Sequence, residues 1–435
     1  MTNLISVPEV YREYINPEKR TMPKNDKVVN LRYSDLMLSQ KDAMEDFDTF
    51  KYLMDNVYSG RDYWSMHGVD FTECYAKIEN KLKLIDYIPA VELAKIIHEN
   101  FKGKIIDNHL SIIAAMGREY MGFNGNKYAY FSGVTVEKSN GRYIVAASEN
   151  YDVKIGDTVE CDDSKLYPTL SPHGKEYFYV GTRSWTPIDK ITVGVNGEAI
   201  ELPLHKSRAG EFVTLQDEYF KLMDCDGYPV VYSSTFASVQ TIPRNCGAEL
   251  GKSLRQEKNL LWVLAGNGGG SSEYPQHFIQ ELNGYANNAT HVAWLKTHIT
   301  DFSTVDYDKP YTEWAISLDP PMDYSQSQFD GNLYTIINSK TGSSAENAIG
   351  YAKCVKNNIL IGENSCGVGL FGERQDFLLK NSLIVFGIPC KIFLSESKEG
   401  EGYTPDYWVD SADLIRTVTK WLHRHGRFVK HSLFK

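Results

Sequence analysis

The chain has no uninterrupted apolar run of about 18 residues, the length a helix needs to cross a bilayer, so no transmembrane helix is expected. It begins Met1-Thr2-Asn3-Leu4-Ile5-Ser6-Val7-Pro8, without a basic n-region or a long apolar h-region, and no signal peptide is read there. A cytoplasmic location is the simple expectation; an exported protein whose leader is missing from the sequence would read the same. Cysteine is sparse: Cys74, Cys161, Cys225, Cys246, Cys354, Cys366 and Cys390, odd in number and with no C-x-x-C. That pattern fits neither a disulfide framework nor a zinc ribbon, so reduced core thiols and no metal are expected. Positive charge is also short. The net charge of −10 argues against a nucleic-acid partner, which needs basic surface. The glycine run Ala265 to Ser272, between an apolar strand and a helix, could suggest a phosphate loop, but it carries no G-K-[ST] and no clean G-x-G-x-x-G, and no cofactor is expected.

What is present is an ordinary globular composition, 42% hydrophobic and 23% charged over 435 residues, with 28 tyrosines. The length predicts two or three domains and the apolar content a sizeable core. Residues 1–103 read as a polar arm followed by a helical cap domain, with Phe47, Phe50, Leu53, Met54 and Val57 on one face and a second helix near 90–101. Residues 104–127 form a lead-in strand carrying His109. Residues 128–206 are β-rich, with hairpin signals at Ser139-Asn140-Gly141 and Asn196-Gly197. Residues 207–435 alternate between strand and helix, and Leu260 to Leu264 is apolar throughout, as in a buried parallel sheet. Residues 284–330 read as an irregular, tyrosine-rich surface excursion. Further strands are expected at Ile359–Gly362 and Lys391–Leu394, and a last helix over 411–423.

The chain is organised around Asn338-Ser339-Lys340-Thr341-Gly342-Ser343-Ser344-Ala345-Glu346. An apolar run, Leu333 to Ile337, precedes it. Ala345, Ala348, Ile349 and Ala352 follow at helical spacing. Gly342 is expected to make the sharp turn. Ser343 then stands at a helix N-terminus, where backbone N–H groups lack intrahelical partners and the helix dipole favours negative charge. A serine nucleophile needs such a place, since a neighbouring N–H can hold the oxyanion formed when a carbonyl is attacked. A second reading needs no chemistry at all: Ser343-Ser344-Ala345-Glu346 also matches the capping box S/T-x-x-E.

Two other stretches carry chemistry-bearing residues. In Asp107-Asn108-His109, the histidine's ordinary pKa of about 6.5 makes it eligible as a general base, with a single ionisation near neutrality. A satisfied structural histidine would look the same. After the apolar strand, Ala265-Gly266-Asn267-Gly268-Gly269-Gly270 forms a turn whose N–H groups could cradle an anion, including a tetrahedral oxyanion.

Taken in order, these segments resemble the S41 family of serine peptidases, which includes the carboxyl-terminal processing proteases and the tricorn core protease. Asp107-Asn108-His109 resembles the family's D-x-H, Leu264 to Gly270 its L-R-x-N-x-G-G, and Thr341 to Glu346 its T-x-S-S-A-E. Gly362-Glu363-Asn364 with Gly367, and Gly402 to Asp406, resemble G-E-x-x-x-G and G-x-x-P-D. The resemblance covers residues 100 to 410. It implies an α/β core of the ClpP/crotonase kind with the helical cap and an inserted β module. It also implies Ser343 as nucleophile and an oxyanion hole from an amide of Gly268 or Gly269 and that of Ser344. The β module sits where relatives carry a PDZ domain, and Lys154 to Val159 resembles part of one.

The chain departs from the family at telling places. Val368 stands where processing proteases have their general-base lysine, which excludes a Ser–Lys dyad built there. The tricorn-like branch uses the histidine of D-x-H, matched by His109. That branch links the histidine through a serine to a glutamate. Asn108 holds the serine's place, and Glu399, or else Glu401, matches the glutamate. The expectation is therefore a serine endopeptidase acting on a peptide or protein substrate, with Ser343, His109 and Glu399 in named roles. A catalytically silent peptide-binding protein and a crotonase-like acyl-CoA enzyme are the alternatives. The sequence leaves monomer and homo-oligomer both open.

Overall fold

A computed structural model describes residues 36–114, 119–170, 176–210, 218–288, 291–296, 313–318 and 322–426. The expected N-terminal arm lies outside them. The described chain forms two compact units. One takes its residues from within Met1–Gly125, Thr290–Leu318 and Leu370–Ser395, the other from within Asn126–Ala289, Asp319–Gly369 and Glu396–Lys435.

In the first unit, helices span Gln40–Asn56, Arg61–Met66, Phe71–Leu82 and Ala90–Phe101. Two begin on side-chain caps: the Ser39 hydroxyl accepts the Asp42 N–H at 3.2 Å, and the Asp70 carboxylate accepts the Glu73 N–H at 2.9 Å. The face of Phe47, Phe50, Leu53, Met54 and Val57 is buried, and the Phe50 ring centroid lies 4.7 Å from that of Phe386. Behind these helices stands an antiparallel sheet in the order Glu313–Leu318, His291–Lys296, Val385–Leu394, Asp107–Ala114, Glu119–Phe123. Phe371–Leu378 pairs with Val385–Leu394 as well.

Two expectations change here. Within 284–330 the chain forms two paired strands where an irregular excursion was expected, because short alternating runs there are framed by prolines and tyrosines. The strand expected at Lys391 begins at Val385, since Gly387 and Pro389 hide its pattern. Gly387 is there for room: a Cβ on it would sit 2.1 Å from the Arg374 guanidinium.

The second unit is built on one long sheet. Its core strands Tyr228–Tyr232, Asn259–Val263, Asn332–Ile337, Asn358–Gly362 and Tyr407–Trp408 run parallel. Alternate side chains go to opposite faces, so a fully apolar strand feeds two cores. Leu260, Trp262 and Leu264 pack with the helices Glu273–Asn283 and Ser344–Ala352. Leu261, Val263 and Ala265 pack with the helix Leu414–His425. The strands of residues 128–206 continue the same sheet beyond Tyr407–Trp408, through Leu166–Thr169. The whole is a mixed α/β fold. Among the described residues no helix is long and apolar enough to cross a membrane.

Phe278 is fully buried, its ring centroid 5.0 Å from that of Trp262 and 5.1 Å from that of Phe220. Phe278→Ala removes a filled volume that rigid neighbours cannot close. It is expected to cost about 3–5 kcal/mol. A urea titration reads the loss directly, and an unchanged midpoint would mean that this layer is not close-packed.

Candidate active site

The strand Asn332–Ile337 ends in a loop stitched to its neighbours. Asn338 accepts the amides of Gly266 at 2.9 Å and Lys340 at 3.1 Å. The Thr341 hydroxyl donates to the Leu264 carbonyl at 2.9 Å, and the Gly342 amide to the Asn267 carbonyl at 2.9 Å. These bonds carry the chain into Ser343 at φ 53° and ψ −125°. The sharp turn expected at Gly342 therefore falls on Ser343 itself. A non-glycine residue there is held in a costly conformation, on the order of 1–3 kcal/mol, and such positions cluster at functional sites. Gly342 supplies space: a Cβ on it would meet Val368 Cγ2 at 3.2 Å and Cys366 Cβ at 3.4 Å.

The capping-box reading does not describe this corner. The Ser343 side chain makes no capping hydrogen bond to the helix Ser344–Ala352, although its carbonyl accepts the Glu346 amide at 2.7 Å. Glu346 turns inward. Its buried carboxylate accepts the amides of Val368 at 2.6 Å and Gly367 at 3.0 Å, and the hydroxyls of Ser365 and Ser397. Burial raises its pKa, while these donors pull it back.

The glycine turn lies directly against the corner. Gly269 has φ 102°, and a Cβ on it would sit 2.7 Å from Ser343 Cβ and 2.8 Å from the Ser344 nitrogen. Its amide donates to the Asn267 side chain at 2.8 Å. The neighbouring Gly268 is exposed, with nothing within 4 Å of where a Cβ would be. Ser344 binds the turn from below, its hydroxyl donating to the Gly270 carbonyl at 2.6 Å.

The Glu399 segment reaches the same corner by backbone bonds. The Cys366 amide donates to the Thr341 carbonyl at 2.7 Å, and the Gly400 amide to the Gly367 carbonyl at 2.7 Å. Glu399 is 9% exposed, whereas the Glu401 carboxylate is engaged by the Lys127 ammonium at 3.6 Å. The second unit thus gathers Ser343, Ser344, Gly268, Gly269, Glu399 and Glu401.

His109 and Asn108 belong to the first unit and are half-buried. Burial, and then the positive charge of Arg374, push the His109 imidazole down to about 4, against a backbone hydrogen bond at Phe371 that acts the other way. The ionisation expected near neutrality is therefore displaced towards acid. Glu363, of the Gly362-Glu363 motif, is pushed up to about 7 by burial. All seven cysteines are free, but only Cys74, Cys354 and Cys390 are buried; Cys161, Cys225 and Cys366 are half-buried and Cys246 is exposed rather than in the core. Among the described residues no group of three or more His, Cys, Asp and Glu side chains is placed to hold a metal ion.

No family model matches the sequence, and no curated protein matches it. Among solved structures the chain is similar to mature CPAF, at a TM-score of 0.48 and 12% identity over 90% of this chain and 99% of that one. It is similar to the photosystem II D1 C-terminal processing protease at 0.38 and 14%, over 85% and 92% of the two chains. For the tricorn protease the values are 0.39 and 14%, over 89% of this chain and 36% of that one. The resemblance is one of mixed α/β folds with a large sheet.

The two glycines make a contrast that can be measured. Gly269→Ala forces a Cβ into Ser343 and strains a positive φ, and is expected to cost several kcal/mol, on the order of an overpacked core. Gly268→Ala meets open space and is expected to stay within about 1 kcal/mol of the parent. Equal melting temperatures for the two variants would mean that the turn does not lie against the serine.

Proposed function

We propose that the chain is a serine endopeptidase in which Ser343 attacks the scissile carbonyl. The observation that carries this reading is the conformation of Ser343: a non-glycine residue at φ 53° heading a helix it does not cap. Its side chain does not cap the helix, and a half-buried hydroxyl on a strained strand-to-helix corner is what an acyl-transfer nucleophile uses. The oxyanion hole is assigned to the amides of Ser344 and Gly268. Gly268 is preferred to Gly269 because the Gly269 amide is already taken by Asn267. A tetrahedral oxyanion held by two preorganised donors is stabilised far more than it would be in water.

His109 is assigned as the general base. Val368 removes the lysine alternative at its motif position, and a desolvated imidazole is neutral and ready to accept the serine's proton. It returns the proton to the leaving amine. Glu399 is assigned to orient the imidazole, through Asn108 or a water. Glu401 is set aside because Lys127 occupies it. In this reading the α/β core is of the ClpP/crotonase kind, and residues 128–206 are a PDZ-like accessory module that binds or gates peptide. None of Ser343, His109 and Glu399 lies in that segment. A silent peptide-binding protein is the second reading, and Val368 is the residue that favours it.

An alkyl fluorophosphonate separates the two. Covalent labelling of the wild type at Ser343, lost in Ser343→Ala, supports the peptidase; peptide binding without labelling supports the silent reading. Because the serine is strained and caps nothing, Ser343→Ala is expected to melt within about 0.5 kcal/mol of the parent. Ser343→Gly is expected to be about 1 kcal/mol more stable, as well as inactive. A less stable Ser343→Gly would remove the strain argument.

The base has its own signature. With its pKa displaced downward, His109 is deprotonated well below neutrality, so kcat/KM should rise through an acidic ionisation and stay level from about pH 6 upward. His109→Ala should lower kcat/KM about 10³-fold or more, and Glu399→Gln by less. A profile still climbing beyond about pH 9, with His109→Ala near wild type, would point to a lysine base instead.

A further inference from the structure

The strand Asp107–Ala114 does not carry His109 in regular register. Asp107 pairs with Phe123, yet the next paired residue, Ser111, lies opposite Gly122. Asn108, His109 and Leu110 are therefore surplus to the ladder and form a bulge. Bulges bend a strand and re-aim a side chain, and they are enriched beside active sites. A bulge also frees backbone amides that the ladder would have satisfied, and buried amides need partners.

Both are supplied by one side chain. The Asp107 Oδ1 accepts the amide of His109 at 2.9 Å and that of Leu110 at 3.0 Å. Its Oδ2 accepts the Tyr58 hydroxyl at 2.8 Å. Asp107 is fully buried and Tyr58 is 1% exposed. Tyr58 comes from the segment that follows the helix Gln40–Asn56, and its place is kept open by Gly60, where a Cβ would lie 2.5 Å from the Tyr58 hydroxyl oxygen. Burying a carboxylate is costly unless it is fully hydrogen-bonded. Here the cost is met by three donors, two of which are the amides of the bulge.

We propose that Asp107 and Tyr58 are positioning residues: they hold the bulge in the one conformation that aims the His109 imidazole. The inference rests on the reading of His109 as general base. Its physical basis is that proton transfer from a serine tolerates little misplacement, and an error of about 1 Å can cost about 10²-fold. A bulge without its carboxylate has two unsatisfied amides and several backbone alternatives. A bulge whose carboxylate has lost the tyrosine keeps its amides but loses the buttress behind them. Neither residue touches the substrate or the reacting atoms, so both act only through His109.

The test is a double-mutant cycle on the full chain, read as the second-order rate of Ser343 labelling by an alkyl fluorophosphonate at neutral pH. In the wild-type background, Tyr58→Phe is expected to slow labelling about tenfold and Asp107→Asn about 10²-fold. In the His109→Ala background neither should slow it further, because the group they position is gone. A purely structural role would give equal slowing in both backgrounds, and that result overturns the proposal. Tyr58→Phe removes one hydroxyl from a ring that stays packed. A wild-type labelling rate for that variant overturns the proposal whatever becomes of Asp107→Asn. The underlying reading fails differently: His109→Ala labelled at the wild-type rate removes the base, a wild-type protein that is never labelled removes the nucleophile, and the positioning role falls with either.

Discussion

The buried carboxylate of Glu346 ties together the second unit around Ser343. It sits one turn into the helix that Ser343 heads, and it accepts from the loop of Gly367 and Val368 and from Ser397. A polar group away from water is tolerated only when it is hydrogen-bonded, so these donors are obligatory partners. Through them one side chain fixes three things at once. It sets the start of the helix that Ser343 heads, keeps Val368 against Gly342, and anchors the segment that leads to Glu399. The Ser343 conformation survives because its surroundings over-determine it.

The same logic recurs at smaller scale. Asn338 and Thr341 close the loop from within, Asn267 spends its side chain on the Gly269 amide and its carbonyl on the Gly342 amide, and Ser344 pulls the Gly270 carbonyl down. Each is a polar side chain used to satisfy backbone that no helix or strand can satisfy. Irregular backbone is what places a hydroxyl and an amide side by side, and buried polar side chains are what irregular backbone requires.

Much of this was legible in the sequence where a single physical pattern dominates. Leu260 to Leu264 announces a buried parallel strand because both faces of the sheet are covered, and Leu333 to Ile337 is apolar for the same reason. The Ser343 corner was legible as strand, turn and helix. Its strain was not, because a glycine stands next door and is the natural residue to assign a positive φ. Glu346 was legible as a capping residue, since the S-x-x-E spacing is the same whether the glutamate turns back to the helix start or inward to another loop. The strand Val385–Leu394 was half hidden by Gly387 and Pro389, whose reasons lie across the sheet. The bulge at His109 leaves no mark on composition or periodicity; only pairing with Glu119–Phe123 reveals it.

The interleaving of the two units has a consequence for how the protein is made. The Asp46 carboxylate in the first helix binds the amide of Ser382, 336 residues further on, at 2.7 Å. Phe50, one turn later, needs the ring of Phe386 to complete its packing. On a ribosome adding about 5–20 residues per second, the first helix waits roughly 15 to 70 s for these partners to be synthesised. During that interval the apolar face of Phe47, Phe50, Leu53 and Met54 lacks the strand Val385–Leu394, while the first two segments of the second unit are being made. The nascent chain is thus committed to a long exposure of sticky surface. Its yield in a cell should depend on the chaperones that shield that face until translation catches up.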